Sequence, residues 1–161
     1  MRRRSFLSAT GALSVVALTS TRTPSHAQST DVEAVKAAHQ AFYAALSSKD
    51  LKAMEAVWAN KPYVVNIGPR SKTVLVGYTE AVTKYWSGVF DFFSQMSAAS
   101  TSIAQLHSDG KLAWIIGTES ATLQPKSGGE PLKFDTFVTN IFEKEGDRWL
   151  MILHHAQMIP K

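Results

Sequence analysis

From about Ala98 to Met158 the chain alternates apolar and polar residues with a period of two, in four long runs at residues 98–107, 111–123, 131–142 and 148–158. Alternation of this kind marks strands that turn one face to a core and the other outward. The breaks between the runs are hairpin signals. Asp109-Gly110 accommodates the positive φ angles of a tight turn, Pro125-Lys126-Ser127-Gly128-Gly129 is a flexible loop, and Glu145-Gly146-Asp147 closes the last pair. The C-terminal half therefore has to form one antiparallel meander.

Before Ala98 the period is helical. Thr30-Asp31-Val32-Glu33 has the form of a capping box, followed by an apolar stripe at Val32, Val35, His39, Phe42 and Leu46. Asp50 caps a second helix carrying Leu51, Met54, Val57 and Trp58, closed by Asn60-Lys61-Pro62. Tyr63–Ile67 and Thr73–Val76 read as a short strand pair about the Gly68-Pro69-Arg70 turn. Thr79 opens a third helix with Val82, Tyr85, Trp86, Val89 and Phe93 at helical spacing. Helices gathered early and a long meander afterwards predict an α+β fold, with the helices on one side of a curved sheet. No internal repeat or long linker divides the chain, so a single domain is expected over 28–161.

Residues 1–27 read as an export leader. Arg2, Arg3 and Arg4 form a charged start, Phe6–Leu18 is mildly apolar, and Ser25-His26-Ala27 offers a small-residue cleavage site. Arg3-Arg4-Ser5-Phe6-Leu7 resembles the twin-arginine export motif. The apolar stretch is short of the ~20 residues a bilayer requires, so no stable membrane anchor is expected after cleavage, and a periplasmic or secreted location is. The formal charge of +4 sits in this segment, which holds four arginines and no acid. The remainder is balanced, which speaks against a nucleic-acid binder dependent on phosphate neutralisation. At 45% apolar and 19% charged residues the composition is globular, and the chain has no cysteine for a disulfide, a thiol nucleophile or a thiolate metal site.

Several local words together resemble a known family. Phe42-Tyr43-Ala44-Ala45-Leu46, Lys49-Asp50-Leu51 and Trp58-Ala59-Asn60 look like the opening helix pair of SnoaL-like and ketosteroid-isomerase-like domains, members of the nuclear-transport-factor-2-like superfamily. Gly68-Pro69-Arg70, Val76-Gly77-Tyr78 and the closing Gly146-Asp147-Arg148-Trp149 with His154-His155 fit the same pattern, over residues 31–158. The resemblance implies a cone, in which a curved sheet wraps a long helix and leaves a pocket at the wide end. It also implies homodimers. Some members isomerise steroids, some cyclise polyketides or hydrolyse small molecules, and many only bind or scaffold. A ketosteroid isomerase uses an Asp base, a Tyr and a protonated Asp. By the resemblance those positions fall here on Asn66, on Phe42 (with Tyr43 beside it) and near Val138, with Asp135 on the same strand. An amide cannot serve as the base, so the usual isomerase chemistry is not expected.

The residues suggest another acid–base pair. Pairing Glu143 with Arg148 sets Thr136 opposite His155, and pairing Leu123 with Leu132 sets Glu119 opposite Thr136. Glu119, Thr136 and His155 would then form one row across three strands. Glu119 and His155 are thus the catalytic candidates, because a carboxyl and an imidazole near neutrality suit proton transfer. The pocket wall is expected from Tyr43, Trp58, Asn66, Trp86 and Thr136, suiting a small apolar or aromatic ligand. His154 and His155 are adjacent on a strand and point to opposite faces, so no joint metal site is expected. His39, within the helical stripe, is expected in the core. The sequence contains no Gly-x-Ser-x-Gly elbow and no Gly-x-Gly-x-x-Gly loop, so neither a serine hydrolase nor a nucleotide cofactor is expected. Trp114, Ile116, Phe137, Ile141 and Ile152 share one predicted sheet face, and Ile115, Val138, Phe142, Trp149 and Leu153 the other. One face covers the helices and the second calls for a partner, hence a homodimer. Two functions follow: an exported small-molecule-binding domain with isomerase, lyase or hydrolase-type activity, or a non-catalytic dimeric binding or assembly module.

Overall fold

The structure, a computed structural model, describes residues 26–160; the expected leader lies outside the described residues except for its last two positions. The apolar stripe of the first helix is realised in α1 (His26–Ser48), which buries Val35, His39, Phe42 and Leu46. Its start differs from expectation. The helix already runs through the Thr30–Glu33 capping box, whose Glu33 carboxylate accepts from Lys36 Nζ at 2.8 Å, while the Asp31 carboxylate accepts from Lys144 Nζ at 2.6 Å. At the other end Lys49 takes φ 56°, its N–H bonding to Leu46 O and that of Asp50 to Ala45 O. These two bonds satisfy carbonyls that a helix end leaves open. The same turn delivers Asp50 as N-cap of α2 (Leu51–Val57), where its carboxylate accepts from Ala53 N at 3.0 Å.

The short strands form as expected, β1 (Val65–Ile67) pairing antiparallel with β2 (Leu75–Val76). A π-helical stretch, Thr79–Lys84, continues directly into α3 (Tyr85–Phe92). The meander follows as β3 (Phe93–Ser108), β4 (Leu112–Pro125), β5 (Leu132–Glu145) and β6 (Arg148–Met158). β3 starts five residues before the expected run, because α3 ends at an extended Phe93 with no intervening loop. The six strands lie in the order β2-β1-β6-β5-β4-β3, with β1 parallel to β6. The fold is thus α+β, with a curved, unclosed sheet against α1.

Curvature has identifiable causes. β3 carries register shifts between Ser100 and Ser102 and between Ile103 and Gln105, and such bulges bend a strand. Gly117 of β4 lies against the Ser102 carbonyl, where any Cβ would collide. Ser47 Oγ ties α1 to the bent strand, donating to Ala98 O and accepting from Ala98 N. The concave face and α1 enclose a core that includes Phe42, Met54, Ile115, Phe142 and Met151.

One pairing differs, and it matters for the site. Leu123 pairs with Leu132 and Glu119 with Thr136, as expected. In the last hairpin, however, Glu145 rather than Glu143 pairs with Arg148, around a two-residue turn with Gly146 at φ 59°. A bulge between Ile141 and Phe142 adds one more residue of shift. Beyond the bulge the total displacement is three residues, an odd number, so there the inward and outward sets of β6 exchange, while before it Trp149 and Met151 keep the inward face. Thr139, not Thr136, lies opposite His155, and Asn140 lies opposite His154. Leu153 pairs with Ile141 and so joins the convex face, where Ile152 had been expected.

Candidate functional site

The concave face carries a polar row whose members come from β4, β5, β6 and α1. Glu119 is buried, yet both its oxygens are engaged: Oε2 accepts from Tyr43 Oη and Oε1 from Thr136 Oγ1, each at 2.8 Å. Among the described residues no cation pairs with it. Burial raises the Glu119 pKa above the ordinary carboxyl value, and the two hydroxyl bonds and nearby His39 pull the other way. The Tyr43 phenol is itself pushed up by burial and by that carboxyl, so it remains a donor.

A second group adjoins the first. Asn140 Nδ2 donates to His39 Nδ1 at 3.1 Å, while its Oδ1 accepts from His154 Nδ1 at 2.8 Å. With the amide in this orientation His154 carries its hydrogen on Nδ1, leaving Nε2 a lone-pair nitrogen with no partner among the described residues. Phe42 packs on the His154 ring at 4.8 Å between centroids and Trp86 stands at 6.4 Å. In this apolar box burial lowers the His154 pKa to about 3, and burial likewise lowers that of His39 to about 4. Both imidazoles are neutral at physiological pH.

Glu119 and His154 line the same cavity, of about 520 Å³. α3 contributes Trp86 and Val89, the end of α1 Leu46, and the concave sheet Met96, Ala121 and Phe134; the loop Gly68–Ser71 borders it. The size falls within the ordinary range of small-molecule pockets, and the lining is mainly apolar with few polar groups.

The expected site residues separate into groups. Glu119 and Trp86 line the cavity. Tyr43 and Thr136 stand behind Glu119 as its hydrogen-bond donors. Asn66 is fully buried and donates to Ala81 O at 2.9 Å, and Trp58 sits in the core bridged to Met151; neither lines the cavity. His155 is exposed on the convex face beside Thr139, removed from Glu119 by the odd register shift, so the expected three-strand row does not form. His154 takes its place on the concave side. Sequence reasoning missed His154, Asn140 and Arg70 as site residues; the Gly146 turn signals only an even shift of two, and the further step that turns His154 inward opposite Asn140 comes from the bulge between Ile141 and Phe142. Of the isomerase positions, Phe42 and Val138 are buried apolar residues and Asp135 is exposed on the outer face. Among the described residues no group of three His, Asp or Glu side chains is arranged to hold a metal ion.

A family model described as the SnoaL-like domain matches residues 35–160. The chain belongs to the SnoaL-like domain family. Among curated proteins it is 28% identical over 123 residues to the F-box protein SKIP8 of Arabidopsis thaliana, a match covering 73% of this chain and 46% of that protein. The SnoaL-like chain thus spans about half the length of the curated relative it matches. Among solved structures it resembles a candidate dehydratase of the NTF2-like family from Streptomyces avermitilis, with TM-score 0.72 and 25% identity over 83% of this chain and 99% of that one. A candidate calcium/calmodulin-dependent protein kinase type II association domain from Thiobacillus denitrificans aligns with TM-score 0.63 and 27% identity, over 78% and 94% of the two chains. An NTF2-like superfamily protein from Salmonella enterica shares the fold at TM-score 0.75 and 14% identity, covering 83% and 94%.

Proposed function

We propose that this SnoaL-like domain binds a small, mostly apolar organic molecule in the cavity and acts on it by proton transfer, as a lyase or isomerase. The observation that carries the reading is the pairing of Glu119, which burial inclines to hold a proton, with His154, whose Nε2 is unpartnered, on one cavity wall. In a dehydration, His154 Nε2 takes a proton from carbon as the C=C bond forms. The Glu119 carboxyl protonates the departing hydroxyl, and water leaves. Proton exchange with solvent then restores both groups. The likeness to the candidate dehydratase supports the lyase form of this reading. Tyr43 and Thr136 are positioning residues that hold the Glu119 carboxyl. The test uses Glu119→Gln and His154→Gln against a panel of hydroxylated aromatic and alicyclic compounds. Loss of turnover in both variants with ligand binding retained is expected. Turnover unchanged in both would refute proton transfer by this pair.

A second reading has its own observation. The convex face exposes Phe137 and Ile116, 55% and 42% accessible, with Ile141 and Leu153 partly covered beside them. This supports a homodimer through the convex sheet, and the likeness to an association domain supports an assembly role. A monomer by sedimentation at micromolar concentration would refute it. We also propose that residues 1–27 direct twin-arginine export to the periplasm or beyond and are removed, so that no membrane anchor remains. Exported protein with the mass of the whole chain would overturn this.

A further inference from the structure

Building on the reading that the cavity holds a ligand, we propose that the ligand is a small organic anion, held by its charged end at the cavity mouth by Arg70 and inserted apolar end first. Among the lining residues Arg70 is the one cation near neutrality, where His154 is neutral, and Glu119 is the one carboxyl. They occupy opposite environments. Glu119 is deep and bound by two hydroxyls, whereas Arg70 is exposed at the rim. Arg70 has no carboxylate within ion-pair distance among the described residues. An unpaired guanidinium at the rim of an apolar cavity presents a planar fork of donors that matches a carboxylate or sulfonate.

The loop that carries it is built rather than loose. Gly68 N donates to Ser71 Oγ at 2.8 Å and Ser71 N to Gly68 O at 3.0 Å, closing a tight turn around Pro69 and Arg70. The Tyr85 hydroxyl of α3 occupies the space a Cβ on Gly68 would need, so the turn is seated on the helix that walls the cavity. Leu46, Val89, Met96 and Phe134 offer the interior no cation. An anion driven inward would lose water without gaining a partner and would meet the Glu119 carboxyl. Orientation follows: the charge stays at Arg70, and the far end of the molecule reaches Glu119 and His154. From the loop between β4 and β5 the cavity takes Pro125 and Ser127, which carry no charge, and the loop's own Lys126 and Glu130 are of opposite sign, so Arg70 sets the preference.

The test compares two fluorescent probes with one ring system, anilinonaphthalene sulfonate and the uncharged phenylnaphthylamine. Wild-type protein is expected to bind the sulfonate more tightly, with an affinity that falls as salt rises. Arg70→Gln should weaken the sulfonate by about fivefold, remove its salt dependence and leave the uncharged probe unchanged. Ala121→Phe, or Ala98→Leu should the first not fold, fills the cavity and should reduce binding of both probes. If both probes respond to the cavity-filling variants but Arg70→Gln retains the discrimination, the anion proposal is overturned while the cavity reading stands. If neither probe binds the wild type, or filling the cavity changes nothing, the cavity reading fails and the anion proposal with it.

Discussion

Acidification should unfold this protein through its two buried histidines, and the size of the effect can be worked from their surroundings. His154 is enclosed by Phe42 and Trp86, and its one hydrogen-bond partner among the described residues is the neutral Asn140, so its protonation places a charge in an apolar surrounding. Its pKa is about 3 in the folded protein against 6.5 in an unfolded chain. Between these values the unfolded chain binds the additional proton, and stability falls as pH falls. The contribution is fully present above pH 6.5 and lost on descent towards pH 3. Each such proton tilts the stability curve by about 1.4 kcal/mol per pH unit. Lowering the pH from neutrality to about 4 therefore costs on the order of 3 kcal/mol through His154 alone. His39 acts in the same direction down to about 4. Glu119, with its pKa raised, acts in the opposite direction, adding stability as pH falls towards the ordinary carboxyl value of 4.5. Urea denaturation midpoints measured from about pH 7 to 4 should show a steep loss in the wild type. In His154→Gln, less stable at neutrality, the slope should be shallower by one proton. Parallel curves for the two proteins would refute the reasoning, because they would mean that His154 binds its proton equally in the folded and unfolded states.

Three further outcomes follow from the fold. Gly117→Ala should destabilise by at least ~2 kcal/mol or abolish folding, since the added Cβ meets the backbone carbonyl of Ser102, which cannot rotate away; thermal unfolding checks it. Asp50→Ala removes the cap bond to Ala53 N and should cost about 1 kcal/mol, whereas Asp50→Asn should cost less. Phe137→Asp should convert a dimer to monomer in sedimentation without lowering the thermal stability of the monomer, because the side chain is more than half exposed on the convex face; unchanged sedimentation would remove Phe137 from any interface.

Much of the fold was legible because its signals are local. The change of period near Ala98, Asp50 before α2 and the Asp109-Gly110 turn each act within a few residues of where they are read. The Leu123–Leu132 pairing followed from the loop between them. Two kinds of feature were not local. Thr30-Asp31-Val32-Glu33 satisfies a capping rule, but α1 runs on through it from His26, and its Asp31 meets Lys144, more than a hundred residues away. The bulge between Ile141 and Phe142 is a tertiary accommodation with no marker in the alternating run. For the site, residue types and strand level were readable, which is why Glu119 and Thr136 stand together. Which of two adjacent histidines faces inward depends on whether the register shift is odd or even, and the shift of three reversed the answer.

The satisfied state of the polar row bears on whether the cone serves recognition or only assembly. A polar cluster in a packed core has to be internally complete, since each unpaired buried group costs about 1–3 kcal/mol. Glu119 with Tyr43 and Thr136, and Asn140 with His39 and His154, approach that condition through contacts within the protein. Several groups escape it: among the described residues His39 Nε2, Trp58 Nε1 and Asn66 Oδ1 are buried without a partner, and two more lie at the cavity. His154 Nε2 keeps a free lone pair, and the Trp86 Nε1 hydrogen is buried without an acceptor among the described residues. Both belong to residues of the cavity wall. A cone used purely as a scaffold gains nothing from leaving a donor and an acceptor unpaired beside a cavity, and filling it with larger side chains would be more stable. An apolar chamber bounded by a proton-holding carboxyl, a free imidazole nitrogen and an indole N–H is what a ligand with a few polar atoms would complete.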